Sequence, residues 1–253
     1  MSIAEAENVL LFSPLAATPQ LEGISAHFFS NWPPDSDQMT KLASYAATAE
    51  MRCIAVLVQD MQGSVSCSKC FADEFVRQGG RIPVWLKFST RGADIGRLIV
   101  DHLDELKQVD GILLMGWPEE MGRAAKEVRF RLDAPLLAYC DIKDIDAVNS
   151  GGAAINDVIY ANPVFNADVI GPHSRVFVDR FKQRTGASPT LEDACCYDAV
   201  MLLADSMKSG HTTADAIGQM LRELQGYDGV AGRLQFTKGV VRGHYEISRV
   251  KPI

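Results

Sequence analysis

From about residue 50 to residue 161, apolar runs of strand length alternate with longer segments whose apolar residues recur at helical spacing. The runs are 52–59, 82–88, 111–116, 135–140 and 157–161. Between them, segments 65–78, 93–109 and 118–131 carry helical stripes; in the second, Ile95, Leu98, Ile99, Leu103 and Leu106 share one face. Gly79-Gly80 closes the first of these segments, where a helix C-terminus favours glycine. Strand and helix in such alternation predict right-handed βαβ units and a parallel sheet. The runs lack the in–out alternation of a half-exposed strand, so the sheet should be covered on both faces.

After residue 162 the pattern changes. Segments 172–184, 191–209 and 212–225 read as three successive helices. The middle one, with Val200, Met201, Leu202, Leu203 and Ala204, is apolar nearly all round and is expected to be deeply buried. Two short strands near 232–236 and 244–250 close the chain, with Thr237-Lys238-Gly239 as a hairpin turn between them. At the front, 8–12 reads as a strand and 36–49 as a helix, and Thr18-Pro19 resembles an N-cap followed by proline at the first helical position.

The chain has 253 residues, 47% of them apolar, enough for one large domain or two small lobes around real cores. Lys and Arg number 25 against 32 Asp and Glu, a net charge of -7, which argues against nucleic acid and against an anionic membrane surface as partners. The apolar runs stop far short of the roughly 20 residues that span a bilayer. The opening Met-Ser-Ile-Ala-Glu-Ala-Glu has neither the basic nor the apolar region of a secretory signal.

Six cysteines are too sparse for a disulfide scaffold. Cys53 and Cys140 read as small core residues, and the adjacent Cys195 and Cys196 point to different sides of a helix. Cys67-Ser68-Lys69-Cys70 stands at the start of a predicted helix, where the helix N-terminus would lower a thiol pKa and permit redox chemistry. The plainer alternative is that Cys70 faces the core and Cys67 is incidental. No second ligand pair accompanies them, so no metal site is expected. The five histidines are scattered and read as surface or loop residues. There is no dinucleotide fingerprint, Walker loop, nucleophile elbow or zinc-protease motif, so neither a cofactor nor a catalytic residue is assigned.

Ligands of doubly wound sheets bind outside the carboxyl ends of the strands. Four segments fall there: Ser13-Pro14-Leu15-Ala16-Ala17-Thr18, Asp60-Met61-Gln62-Gly63, Trp117-Pro118-Glu119-Glu120 and Tyr139-Cys140-Asp141. Backbone N–H groups near Ala17 and Thr18 can receive an anion. Asp141 can receive an ammonium group, and Trp117 can cover an apolar side chain or a cation. Each also has an ordinary structural role available: Thr18 and Asp141 as helix caps, Trp117 as a half-buried surface aromatic.

The order of these motifs resembles that of type I periplasmic solute-binding proteins, the leucine/isoleucine/valine-binding family of ABC importers. Ser13-Pro14-Leu15-Ala16-Ala17-Thr18-Pro19-Gln20-Leu21 is similar to the family's Ser-Pro-x-Ala-Thr-x-Pro-x-Leu segment. Segment 28–38, ending Pro34-Asp35-Ser36-Asp37-Gln38, resembles its crossing segment and Asp-x-x-Gln helix start. Segment 54–63 resembles the strand and loop that usually read Asp-x-x-Tyr-Gly, 71–82 the helix ending Gly-Gly, and 116–128 the Gly-x-x-x-Glu helix. Tyr197-Asp198-Ala199 with Leu203-Ala204 is similar to its Tyr-Asp-Ala helix, and 229–239 to its Gly-x-x-Gly-x-x-x-Phe ending.

The resemblance implies an α/β fold with parallel doubly wound sheets in two lobes, a small ligand clamped between them, and binding without catalysis. It implies that Ala16, Ala17 and Thr18 hold a ligand carboxylate, that Gln62 or Gly63 stands where an aromatic usually lies, that Trp117 forms an aromatic lip, and that Asp141 falls near the acidic residue that holds an ammonium. The segment 9–14 matches the family's fourth strand, so the first lobe is expected to be incomplete, without the opening three βα units. The implied domains are 1–34 with 163–232 as a remnant of the N-terminal lobe, 35–162 as the C-terminal lobe, and 233–253 as terminal strands returning near the hinge. The expected ligand is an amino acid or a related amide or carboxylate, the expected partner an importer permease, and the expected compartment the periplasm. An incomplete lobe also raises self-association of the chain through its uncovered apolar surface. A sensory or regulatory ligand-binding domain of the same fold, and a Cys-dependent α/β enzyme, are the alternatives.

Overall fold

A computed structural model describes residues 2–89 and 94–252. In chain order its elements are α1 (Ser2–Ala6), β1 (Leu11–Ser13), β2 (Phe28–Ser30), α2 (Asp35–Thr48), β3 (Cys53–Gln59), α3 (Gln62–Arg77), β4 (Arg81–Phe88), α4 (Ile95–Asp101) and α5 (Leu103–Leu106). There follow β5 (Gly111–Met115), α6 (Pro118–Arg129), β6 (Leu136–Ala138), α7 (Ile145–Gly151), β7 (Ile159–Pro163), α8 (Ala167–Ile170), α9 (Pro172–Thr185), α10 (Leu191–Lys208), α11 (Ala214–Glu223), β8 (Tyr227–Asp228), β9 (Arg233–Leu234) and β10 (Tyr245–Arg249). The chain divides into two compact units: residues up to Asp37 with Pro163–His244, and Gln38–Asn162 with the residues from Tyr245 on.

The second of these units is built on a six-stranded sheet in the order β10-β7-β6-β5-β3-β4. The pairs β3–β4, β3–β5, β5–β6 and β6–β7 are all parallel. Along β3, Ala55 and Leu57 join a core with Ile95 and Ile99 of α4 and Met121, Ala125 and Val128 of α6. Ile54, Val56 and Val58 join the opposite core, with Met39 and Leu42 of α2 and Phe71 and Phe75 of α3. Both faces of β3 are therefore dry, which is why its sequence shows no polar alternation. The chain moves outward from β3 to β4, then returns across β3 to β5 and continues to β6 and β7. The order of winding thus reverses between β3 and β5.

Local chemistry fixes the helices of this unit. Pro118 occupies the first turn of α6, Glu119 and Glu120 lie near its positive end, and Lys126 and Arg129 near its negative end. Gly79, with φ 90°, follows the C-cap of α3. The single helix expected over 93–109 is two, α4 and α5, separated at His102, whose φ of -119° is not helical. Ala93, its expected first residue, lies outside the described residues.

The other unit carries two small sheets, parallel β1–β2 and antiparallel β8–β9. Its core gathers Phe29, Leu202, Leu221, Leu234, Phe236 and Val241, with Phe236 edge-on to both Phe12 and Phe29. Helix α10 opens on a full capping box between Thr190 and Asp193. Contrary to the expectation of a helix buried all round, α10 buries only one side. Ala194, Asp198 and Leu202 are inside, while Val200 is 67% and Met207 55% exposed. The expected terminal hairpin is also corrected. The tight turn exists, with Lys238 and Gly239 at positive φ and a bridge from Thr237 to Val240. The strands it was to join pair elsewhere, β9 with β8 and β10 with β7. Gly239 is required there, because a Cβ would press on the Phe28 carbonyl.

Candidate functional site

The parallel sheet brings the carboxyl ends of β3, β5 and β6, neighbours in that order, to one edge. Gln62 and Gly63 open α3 just after β3, Trp117 stands between β5 and α6, and Asp141 lies in a short 3-10 turn, Cys140–Lys143, after β6. The fold thus groups four of the seven candidate residues on adjacent loops of one unit. Gln62 is exposed, and a Cβ at Gly63 would meet nothing within 4 Å, so this loop leaves open space. The Trp117 side chain is 56% exposed although its backbone is pinned: its N–H donates to Gln59 Oε1 at 2.8 Å. Asp141 is half-buried and its Oδ1 accepts from the Cys140 thiol at 3.3 Å. Burial pushes that thiol's pKa up, and the Asp141 charge adds to the shift.

Ala16, Ala17 and Thr18 belong to the other unit and follow β1. Their loop is held from within. Ala16 N–H donates to Ser13 Oγ at 3.1 Å, its carbonyl accepts from Ser30 Oγ at 2.7 Å, and the Ala17 carbonyl accepts from Asp35 N–H at 2.9 Å. Among the described residues no acceptor meets the N–H of Ala17 or Thr18. Thr18 does not cap the short 3-10 helix Pro19–Leu21 with its side chain; its hydroxyl donates to Gln20 Oε1 instead.

Gln59 was not singled out by sequence reasoning. The signal available was a lone amide at the carboxyl end of the aliphatic run Ile-Ala-Val-Leu-Val. The cysteine pair needs correction. Helix α3 begins at Gln62, so Cys67 is more than a turn inside it, and the helix N-terminus gives its thiol no help. Cys67 is the buried member, packed in the core with Phe71, and Cys70 is half-buried. Among the described residues no group of three or more His, Cys, Asp or Glu side chains could hold a metal ion. No described helix is long and apolar enough to cross a membrane.

A depression of about 940 Å³ runs along α4, α6 and α7 of the sheet-bearing unit, lined by Arg97, Glu119, Arg123, Lys126, Glu127 and Arg131 among others. Glu127 and Arg131 are paired in it, as are Glu119 and Arg123. It contains none of the candidate residues and has the chemistry of a solvated helix surface.

Comparison with curated proteins finds no match. A family model described as "Periplasmic binding protein" matches residues 1–251. Among solved structures, an ABC transporter substrate-binding protein from Desulfitobacterium hafniense, in complex with Leu, superposes with a TM-score of 0.79 at 23% identity, covering 99% of this chain and 73% of that one. A leucine-binding protein from Thermotoga maritima gives 0.82 at 20% identity, covering 99% and 72%. A solute-binding protein of an ABC transporter from R. palustris, in complex with benzoate, gives 0.78 at 11% identity, covering 99% and 70%.

Proposed function

We propose that this chain, which belongs to the periplasmic binding protein family, binds a small solute carrying a carboxylate and presents it, without transforming it, to the permease of an ABC importer outside the cytoplasm. The solute class favoured is an amino acid with an apolar side chain. Three observations support the parts. Ala17 and Thr18 offer backbone N–H donors that no acceptor meets among the described residues, suited to a carboxylate. Asp141 offers an anion suited to an ammonium. Trp117 offers an exposed indole face suited to an aliphatic side chain. The observation that carries the reading is the grouping of Gln62, Gly63, Trp117 and Asp141 on loops that follow β3, β5 and β6, at the carboxyl edge where the winding of the sheet reverses, with nothing described within 4 Å of a Cβ at Gly63.

A second reading, an aromatic acid, is favoured by the benzoate-bound neighbour and by Gln62 and Gly63, which leave room where an aromatic side chain would crowd a ring. The two readings separate on the ammonium. Titration calorimetry with leucine, isoleucine and benzoate measures each affinity in the wild type and in Asp141→Asn. For an amino acid, removing the partner charge should cost about 2–5 kcal/mol of binding. Benzoate has no ammonium and should bind the variant at least as well. Amino-acid binding that is unchanged in Asp141→Asn would remove Asp141 from the site.

A further inference from the structure

Gln59 ends β3 and is fully buried, in a strand whose other inward residues are aliphatic. A primary amide in such a place is costly unless it is bonded, and an aliphatic residue would pack there more cheaply. Its carbonyl is bonded: Oε1 accepts the Trp117 N–H at 2.8 Å. That donor also fixes which way the amide faces, because only the carbonyl end can accept it. The Nε2 end is then left buried with no partner among the described residues. The neighbouring backbone makes room for the arrangement. A Cβ at Gly116 would lie 2.9 Å from Oε1 and 3.1 Å from Gln59 Cβ, so a larger residue there would push the amide aside. The bond spans β3 and β5, the two strands between which the winding reverses.

We propose that Gln59 is a positioning residue: its carbonyl ties the Trp117 turn to the end of β3, holds the indole at the mouth of the switch-point crevice, and so sets solute affinity through Trp117. This rests on Trp117 as the solute-facing lip, and deepens that reading by naming what holds the lip in place.

The geometry sets stability and affinity against each other, which a mere core-filling role would not. Gln59→Met keeps the length, discards the unpaired donor and leaves Trp117 N–H free. Gln59→Glu keeps an oxygen for Trp117 N–H but buries a carboxylate. In a Trp32→Phe/Trp85→Phe background, where emission reports Trp117 alone, thermal melting, emission and calorimetry with leucine, isoleucine and benzoate are measured for each. Gln59→Met should melt no lower than its parent, yet shift the Trp117 emission and bind about five- to tenfold more weakly. Gln59→Glu should melt lower but keep the emission and stay within about twofold in affinity. If Gln59→Met keeps both emission and affinity, or if affinity follows melting temperature in both variants, the proposal is overturned. Should Gln59→Met fail to fold, Gly116→Ala displaces the same oxygen; an unshifted emission there overturns it as well. If none of the three solutes binds the parent, the solute assignment fails, and the Trp117 emission still decides the role of Gln59.

Discussion

Replacing Gly229 by alanine should be among the most damaging single-methyl additions to this protein. An added Cβ would lie 2.6 Å from Cγ and 2.9 Å from Oδ1 of Asp198. That carboxylate is 1% exposed and cannot simply step aside. Its Oδ1 accepts from Val230 N–H at 2.7 Å and its Oδ2 from Ala231 N–H at 2.8 Å. Forcing a methyl into a filled site costs about 1–3 kcal/mol. Loosening hydrogen bonds to a buried charge costs a further 1.5–3 kcal/mol, roughly, for each bond lost. The stiffer unfolded chain of an alanine variant returns about 0.4–1 kcal/mol. The net expectation is a loss of about 2–4 kcal/mol, read from the urea midpoint with an unchanged slope. A double-mutant cycle tests the cause. In Asp198→Ala the space is vacated, and Gly229→Ala should then be close to neutral. A Gly229→Ala loss below about 0.5 kcal/mol, or one that adds fully to that of Asp198→Ala, would refute the reasoning.

Phe71 is wholly buried and stacked on Phe75 with centroids 5.7 Å apart, so Phe71→Ala should cost about 3–5 kcal/mol, measured by denaturant unfolding. The acid limb of the stability profile should carry a signature of Asp215, whose pKa is lowered first by the hydrogen bond from His27 and next by that from Asn8. The folded value lies below the unfolded one, so this contribution is present above the ordinary carboxylate pKa and is lost as pH falls through the folded value. Asp215→Asn should therefore flatten the stability–pH slope below about pH 4, and an unaltered slope would remove the pair from the account. Asp198 acts with the opposite sign. Burial raises its pKa against the two backbone N–H bonds, so its contribution is complete below the unfolded value and declines as pH rises through the folded one.

The sequence by itself determined the alternation of strands and helices between Cys53 and Ala161, because a doubly covered strand must be apolar throughout and a packed helix must repeat its apolar stripe. It also placed the candidate loops at strand ends, since those ends follow from chain direction once the strands are parallel. Where packing decides, sequence reasoning failed. The break at His102 and the exposed Val200 and Met207 follow from which neighbours each helix meets, and periodicity does not record neighbours. β10 reads as half of a hairpin because its turn is locally ideal, yet it joins a sheet edge far away in sequence. The clearest case is Gln59. As a letter it is one polar residue ending an aliphatic run. Only the register of β3 against β5 brings its carbonyl to the Trp117 N–H, 58 positions along the chain, and leaves the other half of the amide without a partner among the described residues. Hydrogen bonds between distant backbone and side-chain groups depend on strand order, and strand order is a property of the assembled sheet.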